Sequence, residues 1–179
     1  MKAFLLAAGL GTRLRPITET IPKCLVPIND IPLLQYWVDL FEKHNITEVC
    51  INLHYLSDQV KTYLENLNSN IKWTMVYEPE LLGSGGTIFA NRDFINDNEP
   101  FFICYADNLT NINLTQMLNF HQEKQSSFTM ALFRCNNPKE CGIVTIDENN
   151  FITSFEEKPE YPQSNLANAG IYLANSEIF

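Results

Sequence analysis

Long apolar runs are missing from this chain. No stretch approaches the roughly 20 residues that a membrane-crossing helix needs, so no transmembrane helix is expected. Basic residues are scarce, 12 Lys and Arg against 21 Asp and Glu. The resulting net charge of −9 speaks against nucleic acid as a partner, because phosphate backbones demand a broad basic face. No two cysteines form a C-x-x-C pair. The five thiols (Cys24, Cys50, Cys104, Cys135 and Cys141) are odd in number, which argues against a complete disulfide framework. Three lie in apolar strand-like runs, so buried free thiols in a reducing compartment are expected. His44, His54 and His121 lack metal-ligand spacing and read as surface or helix-end residues. Both standard phosphate patterns are absent as well: there is no G-x-x-x-x-G-K-[ST], and the third glycine of the dinucleotide fingerprint is missing. No internal repeat, low-complexity tract or linker interrupts the 179 residues, which fit one domain of ordinary size.

What the chain does have is concentrated at its start. Lys2 opens an apolar run through Leu5, Leu6, Ala7 and Ala8 that looks at first like a short signal peptide. It leads instead into Gly-Thr-Arg-Leu-Arg-Pro, where a cleavage region is small and neutral. It therefore reads as a buried strand, and the chain as cytoplasmic; the three N-x-[ST] sequons, at Asn45, Asn108 and Asn113, are then chance. The strand breaks at Gly9 into a loop whose small residues let backbone N–H groups approach a ligand. Residues 1–30 carry four basic against two acidic side chains, +2, which leaves −11 for the rest. Arg13 and Lys23 thus place positive charge where the glycine loop points, a polyphosphate cradle for a small anion.

Further on, helical spacing follows Pro32 through Leu33, Tyr36, Trp37, Leu40 and Phe41, ending near His44-Asn45. Glu48–Leu53 reads as a strand, Ser57 as the cap of a second helix, and Ile71–Tyr77 as another strand. A glycine turn, Gly83-Ser84-Gly85-Gly86, leads into a helix through Ile88, Phe89 and Phe94. Phe101–Tyr105 is an apolar strand stopping at Asp107, and Asn113-Leu-Thr-Gln116 predicts a capping box for the helix after it. Short strands are expected at Phe128–Phe133, Gly142–Ile146, Phe151–Phe155 and Gly170–Leu173, with a helix opening at Asn175–Phe179. Strands alternating with helices through the first 120 or so residues predict an α/β fold with a doubly wound, mainly parallel mixed sheet. Ligands of such sheets bind beyond the carboxyl ends of the strands, where the glycine loop and Asp107 fall.

Gly9-Leu-Gly11-Thr12-Arg13-Leu-Arg-Pro16 followed by Pro22-Lys23 resembles the signature of the sugar-1-phosphate nucleotidyltransferases. Later segments recur in that family's order: Glu78-Pro79 with Gly83-Ser84-Gly85-Gly86, Ala106-Asp107, Gly142-Ile-Val, Phe155-Glu-Glu157-Lys158-Pro159 and Asn168-Ala-Gly170-Ile-Tyr172. The resemblance implies a Rossmann-like nucleotidyltransferase fold and transfer of a nucleotidyl group from a nucleoside triphosphate to a sugar 1-phosphate. It assigns Arg13, Lys23 and Asp107 to catalysis, with Asp107 as ligand of Mg2+. Leu6, Ala7, Ala8, Gly9, Gly11, Thr12, Glu78 and Gly83 would bind the nucleotide. Gly142, Glu157, Lys158 and Asn168 would bind the sugar phosphate. The nucleotide part would span about residues 1–110 and the sugar part about 111–179 of one domain. The family's second acidic metal ligand has no counterpart after Leu173, which suggests a chain truncated at its C-terminus. The expected partners are the two substrates, with a homo-oligomer as an assembly option and no nucleic acid or membrane. Guanylyl transfer is slightly favoured over thymidylyl or uridylyl. The alternative is a non-catalytic nucleotide-sugar-binding subunit on the same fold.

Overall fold

The computed structural model describes all 179 residues, Met1–Phe179. They form two compact units, Met1–Thr129 together with Leu173–Phe179, and Met130–Tyr172. The first unit opens with β1 (Lys2–Leu6), followed by a short ribbon of β2 (Pro27–Ile28) and β3 (Ile31–Pro32). Then come α1 (Leu33–Lys43), β4 (Glu48–Leu53), α2 (Ser57–Glu65), β5 (Lys72–Tyr77), α3 (Gly83–Ala90), β6 (Phe101–Tyr105) and α4 (Leu114–Lys124).

The four long strands of this unit run in the order β5-β4-β1-β6, every pair parallel. From β1 the chain steps outward to β4 and β5, then returns to the other side of β1 as β6. That reversal makes β1/β6 the topological switch point, where a crevice opens beyond the strand ends. Register fixes what faces it: Leu6 lies opposite Asn52 on one side and Tyr105 on the other. Strands β1, β4 and β6 are apolar runs because both their faces are covered, whereas β5 at the sheet edge is largely exposed. Phe4 and Phe101, both fully buried, meet edge-to-face at 5.8 Å, and Phe94 meets Phe4 at 5.3 Å. Helix α1 turns Leu34, Trp37, Val38 and Phe41 inward at the helical period.

The second unit holds most of β7 (Phe128–Arg134), then β8 (Gly142–Ile146), β9 (Ile152–Glu157) and most of β10 (Leu166–Ala174). Here the pairing is antiparallel, β8 lying between β9 and β10. The fold is thus a mixed, mainly parallel α/β one, as the alternation of strands and helices predicts.

Several local expectations need correction. Ser57 does not cap α2: Leu56 holds the N-cap position at φ 51°, and no side chain bonds the helix start. Gly83–Gly86 is not a turn before a helix but the first turn of α3 itself. That helix ends at Ala90, and Phe94 belongs to a separate 3-10 turn. The chain end forms a 3-10 turn at Ser176–Ile178. His121 is buried rather than at the surface, its Nδ1 2.8 Å from Thr129 Oγ1 and its Nε2 3.1 Å from Asn175 Oδ1. The cap at Asn113 is present, its Oδ1 accepting the Gln116 N–H at 3.0 Å.

Candidate active site

The site grows from the end of β1. After Leu6 the chain leaves the sheet, and the Ala7 N–H is taken at once by the Asn52 side chain at 2.8 Å. The amides of Ala8, Gly9 and Gly11, by contrast, donate to nothing within the chain. A Cβ built on Gly9 would meet no atom within 4 Å, so the space above this backbone is open. Gly11 is a glycine for two reasons: it adopts φ +65°, and a Cβ there would lie 2.9 Å from Thr18 Cγ2. Thr18, itself buried, donates its hydroxyl to the Gly11 carbonyl at 2.7 Å, which pins the loop from beneath. Thr12–Leu14 is a 3-10 turn, and the Arg15–Pro16 peptide that follows is cis.

Lys23 opens another 3-10 turn after Pro22, and its Nζ forms an ion pair with Asp107 Oδ2. Asp107 stands just past the end of β6, where the Ala106 N–H donates to the Leu6 carbonyl at 3.0 Å and ties the β6 end to β1. A cavity of about 260 Å³ is lined by Leu6–Gly9, Lys23, Asp107, Glu78, Gly83 and their neighbours. The structure therefore gathers the loop, one ammonium, two carboxylates and the start of α3 around one space. Gly11, Thr12 and Arg13 do not line it; Arg13 is exposed on its 3-10 turn.

Sequence reasoning missed the residue at the centre of this arrangement. Asn52 is 5% exposed and lines the cavity. While its oxygen holds the Ala7 amide, its Nδ2 donates to Glu78 Oε1 at 3.0 Å and to Thr87 Oγ1 at 3.2 Å. Thr87 in turn donates to the same Glu78 oxygen at 2.5 Å, and the Leu82 N–H reaches Oε2 at 3.4 Å. Glu78 is thereby held from three sides, fixing the end of β5 against α3. The signal was available: an amide inside the apolar run Glu-Val-Cys-Ile-Asn-Leu must be satisfied by specific partners when buried. Ser84 donates to the Tyr105 hydroxyl at 3.1 Å across the same cavity wall. Cys24 also lines it, but burial pushes its thiol up to about 12, so it stays protonated and takes no nucleophilic part.

In the second unit, Gly142 pairs with Glu157 across β8 and β9. A Cβ on Gly142 would come within 2.8 Å of Phe155 Cζ and 2.9 Å of Glu157 Oε2, the ends of two exposed side chains that would have to shift to make room for it. Lys158 adopts φ 47°, its N–H donates to the Cys141 carbonyl at 3.0 Å, and its ammonium stands 4.0 Å from Glu157 Oε1. Asn168 is committed within the unit: its Nδ2 donates to the Tyr172 hydroxyl at 2.6 Å and its Oδ1 accepts the Gly170 N–H at 2.9 Å.

Chemically, the first unit's cavity suits an anion of several charges. Unengaged amides and an ammonium can donate to phosphate oxygens, and a carboxylate beside them provides a hard oxygen for a cation. The chain is also similar to known proteins. Mannose-1-phosphate guanylyltransferase 1 of Arabidopsis thaliana is 32% identical over 99% of this chain and 51% of its own length. The mannose-1-phosphate guanylyltransferase catalytic subunit beta of Danio rerio is 33% identical over 97% of this chain and 49% of its own. The chain spans about half the length of these curated relatives. A crystal structure of UDP-glucose pyrophosphorylase complexed with UDP-glucose superposes with a TM-score of 0.84 at 28% identity, covering 99% of this chain and 76% of that one. The sequence model of the nucleotidyl transferase family matches residues 2–179, and the chain belongs to that family.

Proposed function

We propose that the chain transfers a nucleotidyl group from a nucleoside triphosphate to a sugar 1-phosphate, releasing pyrophosphate. The observation that carries this reading is the meeting of the amides of Ala8 and Gly9, Lys23 and Asp107 on one cavity. A sugar phosphate oxygen attacks the α-phosphorus in line with the departing pyrophosphate. Both reactants are anions, so catalysis consists mainly of positioning and charge neutralisation. The loop amides of Ala8 and Gly9 cradle the phosphates, Gly11 and Arg13 meet the triphosphate from the loop's outer side, where Arg13 neutralises its charge, and Lys23 bridges the α-phosphate and the incoming phosphate. Tied by Asn52 and Thr87, Glu78 serves to hold the nucleotide-side wall rather than to reach the base itself. The base then lies against the backbone at Gly83. Gly142, Glu157, Lys158 and Asn168 belong in this reading to the sugar phosphate side.

A magnesium ion fits the residues present. Asp107 is a hard oxygen ligand, and this ion characteristically combines one or two carboxylates with waters and substrate phosphates. Held by Asp107, it would supply positive charge to neutralise the charge that develops on the phosphates. Guanylyl transfer is the favoured base choice, supported by the names of the relatives at 32% and 33% identity. No helix is long and apolar enough to cross a membrane, and the five unpaired thiols suit a reducing compartment, which supports a cytoplasmic reaction.

The test is pyrophosphate release measured for GTP, dTTP, UTP and CTP, each with mannose, glucose and heptose 1-phosphates and Mg2+. Release with at least one pair, abolished by Lys23→Met, is expected. Tight binding of a nucleotide-sugar with no release from any pair would instead favour a non-catalytic binding subunit.

A further inference from the structure

Lys23 and Asp107 hold each other across 84 residues of chain, and each is the only ionic partner the other has. Both side chains are partly open to solvent, 23% and 38% exposed, so the pair is neither locked in the interior nor fully hydrated. The backbone of Lys23 is fixed by its 3-10 turn, whose Val26 N–H returns to the Lys23 carbonyl at 3.3 Å. Its ammonium, on a four-carbon stem, is free to swing. Through Oδ2 the lysine occupies the same carboxylate that a divalent cation would bind. Two positive groups cannot share it closely without strong repulsion.

Resting on the nucleotidyl-transfer reading, we propose that Lys23 is a positioning residue for Asp107. Its ammonium and a divalent cation exchange on Oδ2, and an arriving polyphosphate releases the carboxylate by drawing the lysine away. Metal entry is thereby coupled to polyphosphate binding. By linkage the coupling is reciprocal: whatever loosens the pair from the lysine side aids the metal, and whatever loosens it from the carboxylate side aids the anion.

The experiment titrates the full chain with Mn2+ alone, free ion being read by electron paramagnetic resonance. The variants are Lys23→Met, Lys23→Gln, Arg13→Met, Asp107→Asn and the double variant Lys23→Met/Asp107→Asn, each checked for a native melting transition. A partly exposed ion pair converts to about a three- to fivefold effect on affinity. Lys23→Met should therefore bind Mn2+ about three- to fivefold more tightly than the unaltered chain. Arg13→Met, which removes the same charge from the same loop without touching Oδ2, should gain clearly less. The gain should vanish in the double variant. Lys23→Gln reports the same gain if the methionine variant melts early. In the reverse direction, Asp107→Asn should bind metal-free inorganic tripolyphosphate more tightly only while Lys23 is present. Equal gains in Lys23→Met and Arg13→Met, or a gain that survives Asp107→Asn, would overturn the exchange. Pyrophosphate release by the unaltered chain is measured alongside. Release with no lysine-specific metal gain overturns the exchange alone, whereas no release from any pair overturns the transfer reading beneath it.

Discussion

Two glycines two residues apart should respond to the same substitution in opposite ways. Gly11→Ala forces an alanine to φ +65° and drives its Cβ to 2.9 Å from Thr18 Cγ2 and 3.3 Å from Lys23 Cβ. The left-handed conformation costs about 1–2 kcal/mol. Thr18 cannot rotate away without giving up its 2.7 Å bond to the Gly11 carbonyl, so about 1 kcal/mol of overpacking is added. The sum, about 2–3 kcal/mol, corresponds to a melting temperature lower by about 4–12 °C for a chain of this size. Gly9→Ala faces no atom within 4 Å, and its φ lies outside the positive region. Its melting temperature should stay within about 2 °C of the unaltered chain. The new methyl group nevertheless projects into the space proposed for a phosphate, and misplacement of that kind costs on the order of 100-fold in turnover. Differential scanning calorimetry and pyrophosphate release on the two variants separate fold from site. A stable, fully active Gly9→Ala chain would refute the claim that this backbone lies against the substrate, and an undisturbed Gly11→Ala chain would refute the steric account of the loop.

Other outcomes follow from the same contacts. Asn52→Ala removes three hydrogen bonds and leaves the Ala7 N–H and the Glu78 carboxylate short of partners, at a cost of about 3 kcal/mol seen in a urea melt; a loss below about 1 kcal/mol would mean that the network is not holding the cavity wall. Burial pushes the thiols of Cys24 and Cys50 up to about 12, so at pH 8 iodoacetamide should leave both unlabelled in the folded chain and label them on unfolding, as read by mass spectrometry. Rapid native-state labelling of either would contradict their burial. The hydrogen bond from Lys2 lowers the Asp97 pKa, so its contribution to stability is present above the ordinary aspartate range and is lost as pH falls through the lowered folded value. Asp97→Asn should therefore be less stable by about 0.5 kcal/mol at pH 7, a figure discounted for exposure, and the difference should close on acidification. A deficit that persists unchanged at pH 2 would contradict this.

Much of the fold was legible because its signals are local. The apolar strands, the inward face of α1 and the Asn113 cap each follow from neighbours in the chain. What stayed hidden depends on partners far away in sequence. Ser57 had the right chemistry for a cap, but the left-handed Leu56 before it sets the helix entry without a side-chain bond. Gly83 looked like a turn residue, yet the bonds that place α3 run from Thr87 and the Leu82 amide to Glu78. His121 offered no local hint of burial, since its partners are Thr129 and Asn175. In the site, the glycine loop, Lys23 and Asp107 were readable as chemical types in order along the chain. Their meeting is set by the register that puts Asn52 and Tyr105 on either side of Leu6. Arg13 was grouped with them on its charge and on the family signature, and the structure sets it on an exposed turn and not in the cavity wall.

A crystal structure of the chain with a non-hydrolysable α,β-methylene nucleoside triphosphate and Mg2+ tests the central claim most directly. The account predicts phosphate oxygens within hydrogen-bond distance of the Gly9 amide and of Lys23 Nζ, with the ion on Asp107. A triphosphate ordered elsewhere on the surface, with Lys23 still paired to Asp107, would contradict it.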